Sequence, residues 1–141
     1  MPGPDLTLLI DAAQQAGKIA ERHWTRDPQV WDKPDGHGPV TEADIAAEHM
    51  IARGLARMFP GALIVGEEAC AKDPSIRDGI AEAETAFTID PVDGTWNYAS
   101  GMTLFGMMVA MTRFGQPVFG LLYDPVMDDV ILAGVGEEAL L

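Results

Sequence analysis

The chain has 141 residues, of which 48% are hydrophobic and 22% are charged, a balance typical of one folded domain spanning residues 1–141. Asp and Glu outnumber Lys and Arg by 22 to 9, so the net charge is −13. This acidity argues against sequence-independent binding to nucleic acid polymers and against attachment to an anionic membrane surface, because both need basic patches.

The N-terminal segment predicts an amphipathic helix over about residues 5–24. Its apolar residues recur at helical spacing: Leu6, Leu9, Ile10, Ala13, Ala16 and Ala20. The segment has no basic region of the kind that opens a signal peptide, and the chain has no apolar stretch of about 18 residues. Cys70 is the single cysteine, which excludes an internal disulfide framework. These features predict a cytoplasmic protein.

A loop and a second helix follow. Residues 25–39, "TRDPQVWDKPDGHGP", contain three prolines and two glycines and predict a loop or a short hairpin. Thr41 opens the second helix, with Asp44 three residues later as an imperfect capping box. "FPG" at 59–61 ends that helix.

After residue 61 the pattern changes to strands. "ALIVGEE" (62–68) predicts a short buried strand that runs into acids, and "ETAFTIDP" (84–91) predicts a second strand with the same ending. Residues 103–135 predict three antiparallel strands, with turns at Gly115-Gln116-Pro117 and at Asp124-Pro125. Two helices followed by a meander predict the α+β class, with two helices packed on an antiparallel sheet.

Two of these strands end in carboxylates. Glu67 and Glu68 follow the first strand, and Asp90 and Asp93 end the second. If the carboxyl ends of the strands lie together in one sheet, three or four acids converge, and they repel one another unless a cation neutralises them. Oxygen ligands of this kind suit Mg²⁺, which is held by a few carboxylates together with water and substrate phosphate.

The segment "IDPVDGTWNY" (89–98) has the residues to shape such a site. Pro91 fixes one φ angle, so the acids on either side and the carbonyl between them can face the same space. Gly94 permits a sharp bend or the close approach of a ligand. If residues 95–98 begin a helical turn, the amides of Gly94 and Thr95 form a small anion-binding nest.

Each of these features also has an ordinary structural explanation. Asp, Pro and Gly are the commonest turn residues for purely local reasons, and a Glu-Glu pair is often a solvated strand end. Thr41 can be a simple helix cap, and Asp44 an acid favoured by the helix dipole. An EF-hand is excluded, because its ligand spacing is absent. The combination in this order favours a metal site.

Three segments together resemble the signature of the inositol monophosphatase family: "VTEADIAAE" (40–48), "GEE" (66–68) and "DPVDGTWNY" (90–98). The similarity extends to Lys33 and to "FGQPVFGLLYDPVMDD" (114–129), so it runs through nearly the whole chain. It implies the N-terminal half of a layered αβαβα sugar-phosphatase fold. It also implies a lithium-sensitive phosphomonoesterase that uses two or three Mg²⁺ ions, for which Mn²⁺ can substitute.

The resemblance implies metal ligands. Glu67, Asp90 and the Val92 carbonyl would hold one ion, and Asp90 would bridge to a second ion that Asp93 also binds. In such a site one ion makes hydroxide from water, and the other stabilises the leaving alkoxide.

It also implies catalytic and substrate-binding residues. Asp44 and the Thr95 hydroxyl would orient and deprotonate the attacking water, with Glu67 assisting. Asp93 and the amides of Gly94 and Thr95 would contact the substrate and its phosphate.

Three residues near the site are not assigned to it. Trp96 stands where the family often has a smaller residue; it could line the substrate cleft or pack against its neighbours, and we expect packing. Tyr98 stands where phenylalanine is usual. His37, in the glycine-containing loop before Asp44, could approach the site as a lid residue, but we expect it to be solvated.

The function implied is hydrolysis of a small phosphomonoester, an inositol phosphate or a related sugar or polyol phosphate. A nucleotide 3′-phosphatase of the same superfamily is one alternative. A catalytically incomplete metal-binding fragment is another, because the family continues for roughly as many residues again and supplies a last metal aspartate from that half. The sheet formed by residues 103–134 would then be uncovered, so homo-oligomers such as dimers are expected.

Overall fold

The computed structural model describes residues 5–24, 28–136 and 138–141. Its helices are α1 (Leu6–Trp24), α2 (Glu42–Met58), α3 (Glu67–Lys72) and α4 (Thr95–Ala99), with a 3₁₀ helix (Pro74–Gly79) after α3. Its strands are β1 (Val30–Asp32), β2 (Pro39–Thr41), β3 (Leu63–Gly66), β4 (Ala86–Asp93), β5 (Gly106–Arg113), β6 (Gln116–Asp124) and β7 (Asp129–Gly134). No helix in the described ranges is long and apolar enough to cross a membrane.

The strands form a β1–β2 hairpin and a five-stranded sheet in the order β3-β4-β5-β6-β7. The predicted α+β class, with two long helices on a sheet, is confirmed. The sheet is antiparallel from β4 to β7, whereas β3 runs parallel to β4. The direction differs at this edge because α3 and the 3₁₀ helix return the chain across the sheet between the two strands, as a parallel pair requires.

The predicted capping box at the start of α2 is complete. The Thr41 amide donates to Asp44 Oδ2 (2.8 Å), and the Asp44 amide donates to the Thr41 hydroxyl (3.4 Å). Both bonds satisfy amides that the first turn of a helix leaves without a partner. They also fix the Asp44 side chain at the junction of β2 and α2.

The core lies between the helices and one face of the sheet. Alanines at Ala13, Ala16 and Ala20 of α1 and at Ala43 and Ala47 of α2 are buried, together with sheet residues that include Phe87, Ile89, Met107, Val109, Met111 and Leu121. A Cβ added at Gly17 would lie 2.8 Å from the Tyr123 ring, so α1 sits too close to β6 for a larger residue. The helix layer therefore packs directly on the sheet at this point.

The opposite face of the sheet is partly open. Strand register aligns Met108, Leu122 and Ile131 across β5, β6 and β7. Leu122 and Ile131 are 45% and 40% exposed. We call the surface formed by Met108, Ala110, Leu122, Ile131 and Ala133 the open face; it lines a shallow depression of about 420 Å³.

Several predicted boundaries are wrong by a few residues. β3 ends at Gly66, and Glu67 and Glu68 begin α3 rather than end a strand. The β5–β6 turn lies at Phe114-Gly115, both with positive φ, while Gln116 and Pro117 belong to β6. A two-residue turn of this kind matches the twist of the strands that it joins.

Candidate active site

β3 and β4 bring two carboxylates to the same edge of the sheet. Gly66 pairs with Ile89, so Glu67 and Asp90 each follow the last paired residues of adjacent parallel strands. The expectation that the carboxyl ends of these two strands lie together is therefore confirmed. A bulge between Asp90 and Asp93 then turns the end of β4, and Asp93 is exposed.

Asp90 is the most perturbed acid of this edge. Its Oδ1 atom is buried and has no hydrogen-bond partner among the described residues. Burial contributes most to raising the pKa of Asp90, and a hydrogen bond with Glu67 and the charges of Glu67 and Asp93 raise it further, to about 8. A buried carboxylate oxygen without a partner is costly in its ionised form, so the site favours a proton or a cation at Asp90.

Lys33 contributes a positive charge to the cluster. It lies next to β1 and is only 6% exposed; its Nζ atom forms an ion pair with Glu67 Oε1 and lies 3.3 Å from Glu68 Oε1. Burial, the largest influence, lowers the pKa of Lys33, but the hydrogen bonds and charges of the two glutamates outweigh it and raise the pKa. In the sequence, Lys33 stands out only through the family resemblance, because no local pattern marks it as a site residue.

Glu67 and Glu68 have different environments, although the sequence treats them as a pair. The side chain of Glu67 is 40% exposed and that of Glu68 is 6% exposed. Burial raises the pKa of Glu68 to about 7, although the charge of Lys33 lowers it. Glu67 therefore faces the opening of the site, and Glu68 belongs to its interior wall.

Asp44 and Thr95 connect α2 with the turn after β4. The Thr95 hydroxyl lies 3.1 Å from Asp44 Oδ1 and 3.0 Å from the Val92 carbonyl, and its single proton can be donated to either. Asp44 is fully buried, and burial raises its pKa despite the hydrogen bonds from Thr41 and Thr95. Asp44 thus reaches the site through the Thr95 hydroxyl.

Gly94 shapes the start of α4. Its φ is +84°, and an added Cβ would lie 2.9 Å from the Leu104 carbonyl, so both conformation and space require glycine. The side-chain amide of Asn97 (Nδ2) donates a hydrogen bond to the same carbonyl at 2.7 Å. The helical turn predicted over residues 95–98 is confirmed as part of α4.

The acidic side chains lie close together, but they are not arranged as a complete set of metal ligands. In the described part of the chain, no group of three or more His, Cys, Asp or Glu side chains is arranged to hold a metal ion. Lys33 is bound to Glu67, Asp93 lies beyond the bulge, and the Val92 carbonyl is within reach of the Thr95 hydroxyl. The donor chemistry and the unpartnered Asp90 oxygen still fit a hard cation.

Two nearby side chains have opposite outcomes. Trp96 is 68% exposed, so the expectation that it packs against its neighbours is wrong: it points away from the core at the surface of α4. His37 is solvated as expected, with 81% of its side chain exposed and Nδ1 3.1 Å from Asp35 Oδ2.

The fold and this cluster define an α+β protein with an acidic site at one edge of its sheet, where two strand ends, a buried lysine and a short helix meet. The model of the inositol monophosphatase family matches residues 3–141. The chain therefore belongs to the inositol monophosphatase family.

Individual relatives agree with this placement. A histidinol-phosphatase of Chlorobaculum parvum is 34% identical over 139 residues, which cover 98% of this chain and 51% of the relative. An inositol-1-monophosphatase of Mesorhizobium japonicum is 30% identical, covering 96% and 49%. The solved IMPase of Thermotoga maritima superposes with a TM-score of 0.81 at 27% identity, covering 96% of this chain and 50% of that one. The chain spans about half the length of the relatives it matches.

Proposed function

We propose that this chain forms the metal-binding half of a Mg²⁺-dependent phosphomonoester hydrolase that acts on an inositol phosphate or a related sugar or polyol phosphate. The observation that carries the proposal is Asp90, which has a buried, unpartnered oxygen beside Glu67 at the shared end of two parallel strands. Such an arrangement is unfavourable for an empty acidic cluster and favourable for one that binds a cation.

The residues that would hold the metal are Glu67, Asp90, Asp93 and the Val92 carbonyl. All donate through hard oxygen atoms, which suits Mg²⁺ and also Mn²⁺, and the acids share one edge of the sheet. Bound divalent ions supply a water of lowered pKa and stabilise the leaving oxygen. Release of Glu67 from Lys33 would free one carboxylate for this role.

Asp44 and Thr95 would position the attacking water. When the Thr95 hydroxyl donates to Asp44 Oδ1, its oxygen lone pairs are left to accept a hydrogen bond from water. The hydrogen bond from the Thr41 amide holds the Asp44 side chain in place, so Asp44 Oδ1 stays within reach of the Thr95 hydroxyl. Glu67, whose side chain is partly exposed, would accept a hydrogen bond from the other O–H group of the same water and help to orient it.

Substrate contacts would come from the turn before α4. The backbone amides of Gly94 and Thr95 stand at the start of this helix, where amides lack partners within the helix. We propose that they bind phosphate oxygens, with Asp93 exposed beside them to contact the substrate or its metal. A cytoplasmic location and a homodimer remain predictions.

The chain by itself would be a poor catalyst. The relatives continue for about as many residues again, and the family resemblance places a further metal aspartate in that part. We therefore expect residues 1–141 to bind Mg²⁺ weakly and to release little phosphate. The nucleotide 3′-phosphatase alternative differs in substrate only.

A chimera tests the function directly. Residues 1–141 replace the matching half of the Thermotoga maritima IMPase, and phosphate release is measured on inositol 1-phosphate, histidinol phosphate and adenosine 3′,5′-bisphosphate. We expect Mg²⁺-dependent release that Asp90→Asn abolishes. Glu84→Gln, which removes one charge just before the start of β4, should leave it intact. A folded chimera without phosphatase activity on any of the three would contradict the proposal.

A further inference from the structure

The N-terminus of α3 is held by a carboxylate from another helix. Glu48 of α2 accepts hydrogen bonds from the Glu68 amide at Oε2 (2.6 Å) and from the Ala69 amide at Oε1 (3.0 Å). Gly66, the residue at the cap position of α3, has no side chain to do this. Glu48 therefore satisfies two amides that a helix start leaves unpaired.

Glycine at position 66 makes this contact possible. A Cβ added there would overlap the carboxyl carbon and both oxygens of Glu48. The φ of Gly66 is −88°, which any residue adopts, so the requirement is for space rather than for an unusual backbone conformation. The β3–α3 junction is thus built around the Glu48 carboxylate.

An acid at this place is electrostatically unfavourable on its own. Burial raises the pKa of Glu48, the two backbone hydrogen bonds lower it, and the charge of Glu67 raises it again. A neutral side chain would avoid repulsion from the acids at the end of β3. What the carboxylate provides is two directional bonds to the residues immediately after Glu67.

We propose that Glu48 is a positioning residue for Glu67: by fixing the first turn of α3, it sets where the Glu67 carboxylate stands relative to Asp90. This inference rests on the proposed function, because it assigns Glu48 a task in the metal site of that function. Partners that orient metal ligands typically contribute about 10- to 100-fold to metal affinity.

Graded variants separate positioning from simple packing. Glu48→Ala removes both acceptors and should weaken metal binding about 10- to 100-fold. Glu48→Gln keeps the size and one acceptor oxygen but turns a donor group towards one amide, so its loss should be smaller. Gly66→Ala leaves Glu48 intact but displaces its carboxylate, and it should shift affinity in the same direction.

Two measurements on the full 141-residue chain test the proposal. Mn²⁺ binding is followed by the electron paramagnetic resonance signal of the free ion. The order of α3 is followed without metal by the rate at which a thiol reagent labels Cys70, the single cysteine, which lies in α3 and is 7% exposed. Asp5→Asn is the matched control, because Asp5 also accepts hydrogen bonds from two backbone amides. These are the amides of Thr7 and Leu8, at the distant start of α1.

We expect Glu48→Ala to weaken Mn²⁺ binding and to accelerate Cys70 labelling at least about 10-fold, with Asp5→Asn changing neither. Unchanged labelling would overturn the proposal, and so would faster labelling with unchanged Mn²⁺ affinity. If the unmodified chain binds no Mn²⁺, the proposed metal site fails and the positioning of a ligand fails with it. If the unmodified chain binds Mn²⁺ and Glu48→Ala binds it equally well, only the positioning role of Glu48 is contradicted.

Discussion

Asp90 combines burial, an unpartnered oxygen and two acidic neighbours in one side chain. Its role as a bridging metal ligand is a prediction carried over from the family resemblance. Its buried oxygen without a hydrogen-bond partner is a feature of the structure. Lys33 forms ion pairs with Glu67 and Glu68, and its positive charge partly counteracts the rise in the pKa of Asp90. These properties favour either a proton or a cation at the Asp90 carboxyl group.

Asp90 gives the metal-free protein a specific pH dependence. Its folded pKa, about 8, lies above the ordinary value of 3.8, so its stabilising contribution is complete below about pH 4 and is lost as the pH rises towards 8. Because solvent screens a partly exposed group, we expect a loss of about 1–3 kcal/mol in unfolding free energy between about pH 5 and pH 8. Asp90→Asn should flatten this slope in urea titrations with chelator, and an equally steep slope in the variant would contradict the assignment.

Asp44 and Thr95 should affect the rate more than metal affinity. In the chimera, Asp44→Asn and Thr95→Ala are each expected to lower kcat by about 10² to 10⁴, the range for loss of a positioned acid or base. The Mg²⁺ concentration at half-maximal activity should change far less, since neither residue is a proposed metal ligand. Equal losses in both quantities would show that the pair is only a cap and a turn.

At the scale of elements, Tyr98 links α4 to α1. Its hydroxyl donates to the Ala20 carbonyl at 2.6 Å, and the ring packs edge-on against Phe105. Tyr98→Phe should lower the unfolding free energy by about 0.5–1.5 kcal/mol, the usual net value of one hydrogen bond. Thermal unfolding measures this, and no change would mean that the bond is absent in solution.

The long elements could be predicted from the sequence, and the short ones could not. Helical spacing from Leu9 to Ala20 and the Thr41–Asp44 box indicate α1 and α2, because period and caps act locally. α3 has six residues, too few for a periodic signal, and its cap comes from Glu48, nineteen positions before the helix begins at Glu67. Lys33 and Glu48 are likewise far from α3 in the sequence. Their roles at the site could not be predicted, because they depend on contacts made only after folding.

At the scale of the whole molecule, the open face of the sheet favours self-association. Leu122 and Ile131 expose an apolar row on the side away from the helices. We expect residues 1–141 to form dimers or larger homo-oligomers, and Leu122→Lys to shift them towards monomers, because a charge on the row is costly to bury. Met127→Lys, at an equally apolar but separate surface position, is the control. A monomeric unmodified chain in sedimentation experiments would contradict this expectation.

Calorimetric titration of the 141-residue chain with Mg²⁺ decides whether the ends of β3 and β4 form a divalent-metal site. We expect weak, saturable binding that Asp90→Asn removes and that Glu84→Gln, just before the start of β4, retains. No binding by the unmodified chain, or the same affinity in Asp90→Asn, would contradict the proposed metal site.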